Sequence, residues 1–118
     1  AYKELENVTK REYASEALFY KAESLLKTKQ YEASIAVIEN IAGGNGQSGE
    51  WSAKALLLLA KNYYVLEDSF QAIFVLESII ENFTDYPNVT KEAQTLLDTY
   101  KASAAEENRS ITQKEDEN

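Results

Sequence analysis

Two pairs of glutamates are spaced in a way that would suit acid–base catalysis. Glu12 and Glu16 are one helical turn apart, as are Glu77 and Glu81, so on a helix each pair presents two carboxylates on one face. Two carboxylates hydrolyse glycosidic bonds when a cleft drives their pKa values apart. The same spacing is typical of the solvent-exposed face of an amphipathic helix. We favour this second interpretation, because catalytic carboxylates need a cleft rather than an outer helix face.

The composition excludes most other catalytic chemistry. The chain has 118 residues with neither His nor Cys. It therefore lacks the parts of an imidazole-based triad, a thiol nucleophile or a His/Cys zinc site. No Asp-x-Asp-x-Asp-Gly calcium loop is present either. We expect a protein that is not an enzyme and that has no cofactor and no metal site.

Charge and hydropathy narrow the class of partner. The formal net charge is −8, whereas nucleic acids and anionic membranes are bound by patches of Lys and Arg. The longest apolar run, Ala55 to Ala60, is much too short to span a bilayer. The sequence therefore predicts a protein or peptide partner, with no nucleic acid and no membrane span.

Helical periodicity runs through most of the chain, so the predicted fold class is all-α with about five helices. A capping box at Thr9 and Glu12 predicts that the first helix spans residues 10–28. The four later helices are expected at 31–42, 50–66, 70–83 and 89–105, the fourth helix of the chain being capped by Asp68 and Gln71. The Gly-rich run 43–49 is predicted to be a connector, and the polar tail 106–118 to fray or be disordered.

A repeat relates the first pair of helices to the second pair. Ala17 and Ala55 are separated by the same offset as Ala22 and Ala60, about 38 residues, which is typical of helical solenoids. We call this separation the repeat offset. Ala33 and Ala72 are one position further apart, so the turns inside the two pairs are predicted to differ by one residue. We expect Ala22, Ala33, Ala60 and Ala72 to lie where paired helices cross, with Leu56 and Leu76 filling the space beside them. Ala17, Ala55 and Leu18 are expected to recur because the helices must pack.

The repeat resembles the tetratricopeptide repeat, a helix–turn–helix unit with small and aromatic residues at fixed places. Leu18, Ala22, Leu25, Ala33 and Val37 fall on its pattern in the first unit, and in the second Leu56, Leu59, Ala60, Tyr63, Ala72, Leu76 and Ile79. The resemblance implies antiparallel helix pairs stacked as a right-handed superhelix. Its departures, such as Lys21 and the long connector, indicate a divergent branch.

That branch is similar to the C-terminal repeats of large envelope proteins of Bacteroidetes, on segments such as 12–17, 51–54 and 68–82. The similarity implies a periplasmic or outer-membrane-associated location. The predicted organisation is a remnant of a preceding repeat (1–9), unit one (10–42), the connector (43–49), unit two (50–84), a capping helix (88–105) and the polar tail (106–118). A face left by a removed repeat, with Tyr2, Leu5 and Tyr13, would favour a homodimer.

In the family that the chain resembles, the first helix of each pair lines a concave groove. Carried over by position, the groove residues are Glu16, Phe19, Glu23, Leu26, Lys27, Lys54, Leu57, Lys61, Tyr64, Val65, Lys91, Gln94, Asp98 and Lys101. Phe19, Leu57 and Tyr64 would form an apolar floor between charges of both signs, suited to a peptide. The alternative is that these three residues only pack against one another or against a missing repeat.

The leading hypothesis is a non-catalytic protein-interaction module, the C-terminal segment of a longer scaffold. One alternative is a structural capping segment without a ligand, and another is a helical accessory domain of an envelope enzyme. Trp51 also has two interpretations, stacking on a sugar or packing as a hydrophobic staple at a helix start.

Overall fold

In a computed structural model, five α-helices account for nearly all of the described chain. The structure describes the backbone of residues 2–42 and 49–116, and the side chains of 14–41 and 49–106. The helices are α1 (Tyr2–Lys27), α2 (Tyr31–Ala42), α3 (Glu50–Val65), α4 (Ser69–Asn82) and α5 (Pro87–Asp116). These ranges contain no strand, so the predicted all-α class is confirmed.

The helices pack in an alternating order around α3. Each helix packs against the next one in the chain, and α1 also contacts α3, which in turn contacts α5. Within the described ranges the backbones of α2 and α4 do not approach each other closely. The odd-numbered helices therefore form one row and the even-numbered helices lie on it, with α3 at the centre.

The central helix buries two faces, and each face belongs to a different apolar cluster. Ala55 and Leu58 join a cluster with α1 and α2 that includes Ala22, Ile38 and Ile41. The other face joins a second cluster with α4 and α5, which contains Ala53, Leu57, Ala60, Ala72, Leu76, Ile79, Val89, Ala93, Leu97 and Tyr100. Side chains three or four positions apart share a helix face, so one helix can supply both clusters.

Three of the helices lie close to their predicted bounds, whereas the two terminal helices are longer than predicted. The predicted start of the first helix at residue 10 is wrong, because α1 continues through Thr9 to Tyr2 and Thr9 is not a cap. The predicted end of the fifth helix at residue 105 is also wrong, because the backbone of α5 continues to Asp116. Neither extension contains Gly or Pro, so no residue forces the helix to end there. Pro87 begins α5, a position where its missing N–H costs nothing.

The repeat is more regular than the sequence comparison indicated. Ala22, Ala60 and Ala72 are fully buried, as expected, but Ala33 is exposed and Ser34 is buried in its place. Ser34 precedes Ala72 by the repeat offset, the same separation that relates Ala22 to Ala60. Ala17 is exposed as well, so it plays no part in the packing predicted for it.

The turns inside the two helix pairs are alike, so the predicted difference of one residue is wrong. Lys29 and Glu67, which are related by the repeat offset, both have a φ of 66°, in the left-handed region. The following residues close equivalent turns, in which the N–H of Gln30 donates to the carbonyl of Leu25 and that of Asp68 to the carbonyl of Tyr63. Aligning Ala33 with Ala72 displaced the second helix of the pair by one residue. Ser34 is the true equivalent of Ala72, which is possible because Ser and Ala are similar in size.

Candidate functional site

An apolar cleft lies between α1, α3 and the start of α5, within the described residues. It has a volume of about 320 Å³. Its lining consists of Phe19, Tyr20, Glu23, Trp51, Lys54, Leu57, Leu58, Lys61 and Glu92. We call it the α3 cleft, because most of its lining residues lie on α3. The predicted groove residues that meet here are Phe19, Glu23, Lys54, Leu57 and Lys61.

Three aromatic side chains form one wall of the α3 cleft. The ring centroids of Phe19 and Trp51 are 5.6 Å apart, and those of Tyr20 and Trp51 are 6.4 Å apart. Tyr20 remains 54% exposed. The Lys54 ammonium lies 4.5 Å from the Trp51 ring centroid, where the electron-rich ring face attracts a cation. Trp51 therefore packs across to α1 at the helix start while one side of the cluster stays open to a ligand.

Ion pairs surround the aromatic wall. Lys61 Nζ lies 3.4 Å from Glu92 Oε1, which joins α3 to α5 across the cleft. Lys54 pairs with Glu50 on its own helix at 3.5 Å. All four side chains are at least one-third exposed, so both pairs contribute little to stability and can be exchanged for a ligand's charges. The α3 cleft thus offers an apolar surface next to charges of both signs.

The predicted apolar floor is divided between two places. Phe19 and Leu57 line the α3 cleft, but Leu57 is only 4% exposed and belongs to the α3–α4–α5 core. Tyr64 is stacked on Tyr100, with ring centroids 3.8 Å apart and planes 2° from parallel. Leu57 and Tyr64 thus pack within the α3–α4–α5 core, where Tyr64 stacks on Tyr100, a partner that neither interpretation named.

The other predicted groove residues are spread over the surface. Leu26 packs against the α1–α2–α3 cluster, and Val65 lines a polar depression together with Tyr64. Glu16 is half-buried on α1, and Lys27 pairs with Glu23 at 3.4 Å. The predicted groove residues of α5, Lys91, Gln94, Asp98 and Lys101, are all exposed, and Gln94 Nε2 donates to Asp98 Oδ1 at 3.0 Å. Apart from Glu23, none of these lines the α3 cleft, and their role in binding stays a prediction.

The second glutamate pair lies on an exposed helix face, while the side chain of Glu12 is outside the described residues. Glu77 and Glu81 are both exposed on α4, and Glu77 Oε1 lies 3.9 Å from Lys101 Nζ. Neither residue lines the α3 cleft. No cluster of acidic side chains suited to a metal ion occurs among the described residues.

A buried polar network joins the first three helices, and the sequence analysis missed it. Ser34 Oγ donates to the carbonyl oxygen of Ala22 at 2.8 Å. Asn62 Nδ2 donates to Ser34 Oγ and to the carbonyl oxygen of Leu58, both at 3.0 Å. Asn62 Oδ1 is buried and accepts no hydrogen bond from the described part of the chain. The available signal was a single Asn among the apolar residues of α3, because a polar side chain on a buried face needs a partner.

The stacked tyrosines carry the one pKa shift resolved among the described titratable groups. Burial raises the pKa of Tyr100 above its ordinary value, because the phenolate is poorly solvated there, and Tyr64 beside it acts in the same direction. Tyr100 is therefore protonated and uncharged at neutral pH, and it serves as part of the core.

No family model, no curated protein and no solved structure matches this chain. In the described part of the chain, no helix combines the length and hydropathy needed to cross a membrane.

Proposed function

We propose that this chain is a non-catalytic protein-interaction module that binds a peptide segment of a partner in the α3 cleft. The observation that carries the proposal is the wall formed by Phe19, Tyr20 and Trp51 next to Lys54 and Lys61. Aromatic side chains dominate the binding energy of many protein interfaces because they bury a large area with few rotatable bonds.

The size of the cleft favours a peptide side chain as the bound group. At about 320 Å³ it is at the lower end of the range for small-molecule sites, which enclose most of their ligand. It is open to solvent along the row of α1, α3 and α5. An apolar or aromatic side chain would fit against Trp51 and Tyr20, and the peptide backbone on either side would lie near the lysines and glutamates.

The arrangement of helices supports a solenoid of the tetratricopeptide type. The two helix pairs share one offset through their buried residues and turns, and α3 contacts both α1 and α5. In this proposal the pairs stack as a right-handed superhelix and the α3 cleft lies on its concave side. The chain would be the C-terminal segment of a longer scaffold in the periplasm or at the outer membrane of a Bacteroidetes-like cell.

The single tryptophan provides a direct test. Peptides selected on the full chain from a random display library would be titrated while the fluorescence of Trp51, the sole Trp, is recorded. We expect the emission to shift on binding, because the peptide changes the polarity around the ring. Tyr20→Ser combined with Lys61→Glu should weaken binding at least tenfold.

Phe74→Ser is the matched control, because it removes an exposed aromatic residue of α4 that lies outside the cleft. It should leave the affinity unchanged. Peptides that bind equally well to the cleft variant, without changing the Trp51 emission, would contradict the proposed site.

A structural capping role is the second candidate, and one observation favours it. Lys61 and Glu92 already pair across the cleft, and Lys54 covers Trp51, so the chain's own side chains occupy part of the space. If the display selection returns no peptide that reports through Trp51, this second role is the better account of the cleft.

A further inference from the structure

A row of four residues on α4 faces solvent and is not used by the fold. Phe70 and Phe74 are 82% and 68% exposed, the two most exposed large apolar side chains described. Glu77 and Glu81 are also exposed and continue the row. Successive members are three or four positions apart, which places all four side chains on one helix face. We call this row the α4 stripe.

The core does not require phenylalanine at these positions. The opposite side of α4 is already buried through Ala72, Leu76 and Ile79. In the equivalent helix α2, the residues related to Phe70 and Phe74 by the repeat offset are Glu32 and Ala36, and both are exposed. The same helix–turn–helix thus forms with a charged and a small residue where α4 has two aromatic ones. Exposed aromatic pairs of this kind mark interaction surfaces.

The charge around the α4 stripe restricts what can cover it. Between Lys61 and Lys91 the sequence contains no Lys or Arg, and its acidic residues there are Glu67, Asp68, Glu77, Glu81 and Asp85. Lys101 lies beside the stripe, with its Nζ 3.9 Å from Glu77 in an exposed pair. A second copy of the chain would bring the same acids together, and an anionic membrane surface would be repelled. The complementary partner is a basic one.

We propose that the α4 stripe binds a basic amphipathic helix of a partner protein. Apolar residues of that helix would cover Phe70 and Phe74, and its Lys or Arg residues further along would pair with Glu77 and Glu81. Helices that dock on a protein surface commonly use anchors spaced in this way. The order along the stripe, with aromatic residues first and carboxylates second, fixes the direction in which the helix lies. This surface is separate from the α3 cleft and does not depend on its function.

The test uses a synthetic helix of leucines and lysines, with leucines on one face, titrated into the isotope-labelled full chain. We expect amide shifts in α4, and we expect Phe70→Ser with Phe74→Ser to weaken binding at least tenfold. This double variant leaves the charge unchanged, so it separates docking on the stripe from general attraction of a cationic peptide to an acidic protein. Tyr31→Ser is the control and should bind as the unmodified chain does, because Tyr31 lies outside both the α4 stripe and the α3 cleft and its equivalent at the repeat offset is Ser69.

Three results would overturn the proposal. One is equal affinity in the Phe70/Phe74 variant, which would show non-specific electrostatic binding. Another is equally tight binding of the matching leucine–glutamate helix, which would show that the acids play no part. The third is a concentration-dependent dimer of the unmodified chain that the same double variant dissociates, which would make a second copy the occupant.

Discussion

The junction between α2 and α3 is packed differently from the junction between α4 and α5, although the two are equivalent at the repeat offset. Ser34 and Asn62 meet at the first, and the residues related to them by the repeat offset, Ala72 and Tyr100, belong to the second. The first junction is held by buried hydrogen bonds, whereas the second is apolar and its tyrosine is stacked on Tyr64. What both junctions share is a small buried residue on the second helix of each pair, which lets the helices approach closely.

The difference shows that this backbone does not require a polar network. The polar junction leaves Asn62 Oδ1 without a hydrogen-bond donor among the described residues, a cost that an apolar junction avoids. The network nonetheless requires one register of three helices, because Asn62 must face Ser34 while Ser34 faces Ala22. We infer that the first junction contributes specificity of packing and the second contributes more of the stability.

The largest expected effect compares the two apolar clusters directly. Ile38 and Leu76 are equivalent at the repeat offset, and both side chains are fully buried. Ile38→Ala and Leu76→Ala should each lower the free energy of unfolding by about 2–5 kcal/mol, from lost burial and the cavity left behind. Urea denaturation measures both. A cost below about 1 kcal/mol at either position would show that the cluster around it is loosely packed.

A second, smaller effect concerns the position that is Ser34 in the first helix pair and Ala72 in the second. Ser34→Ala should cost about 1–3 kcal/mol, because the buried amide of Asn62 loses one of its two acceptors. Ala72→Ser should cost less, because a hydroxyl there can donate to the carbonyl of Ala60 as Ser34 does to that of Ala22. Equal costs in urea denaturation would mean that the second pair does not reproduce the geometry of the first.

The bounds of α2, α3 and α4 were predicted well, because the apolar periodicity and the turn residues indicate the same helix ends. The sequence prediction failed at the ends of α1 and α5, where a plausible cap at Thr9 and a polar tail competed with uninterrupted helix-forming sequence. It also failed at Ala33, because matching residue types assigned to Ala33 the role that Ser34 performs. A serine can be buried when its hydroxyl finds an acceptor, and the hydrogen bond to Ala22 is visible only in three dimensions.

The structure brings only some of the predicted groove residues together, because the sequence does not show which side chains pack on each other. Among the groove positions that the resemblance implied, Phe19, Glu23, Lys54 and Lys61 line one cleft, and their role in binding stays a prediction. Position along a helix could not show that Tyr64 would stack on Tyr100, a residue distant in sequence, instead of facing that cleft. Nor did it predict the contribution of Tyr20, because that residue lies beside the predicted groove positions and reaches the cleft by packing near Trp51.

The helix caps offer a third comparison of the two units. Asp68 Oδ1 accepts from the N–H of Gln71 at 3.2 Å and Gln71 Nε2 donates to Asp68 Oδ2 at 3.0 Å, which confirms the predicted cap. The equivalent residue before α2 is Gln30, whose side chain donates to Thr28 instead. Asp68→Ala should cost about 0.5–2 kcal/mol, and Gln30→Asp should gain a similar amount. Thermal unfolding of both variants measures this, and a Gln30→Asp variant no more stable than the unmodified chain would contradict the equivalence of the turns.

The last prediction compares the junctions at alkaline pH, where the ionisation of Tyr100 should lower the free energy of unfolding. At neutral pH this effect is the smallest of those expected here. Because burial raises the pKa of Tyr100 in the folded state, the unfolded chain loses this proton first as the pH rises above about 10. The stability that Tyr100 contributes is therefore fully present below that pH and is lost as the pH rises through the folded pKa. Tyr100→Phe keeps the stacked ring but cannot ionise, so its free energy of unfolding should fall less steeply between about pH 9 and 11 than that of the unmodified chain.

Tyr20→Phe, at an exposed tyrosine, is the control for general alkaline effects on this comparison. Its pH profile should follow that of the unmodified chain, because this substitution leaves Tyr100 and the α4–α5 junction intact. Parallel profiles for the unmodified chain and Tyr100→Phe would instead show that the phenol of Tyr100 is solvated in the folded chain. The apolar junction would then be less closed to water at Tyr100 than its stacking on Tyr64 indicates.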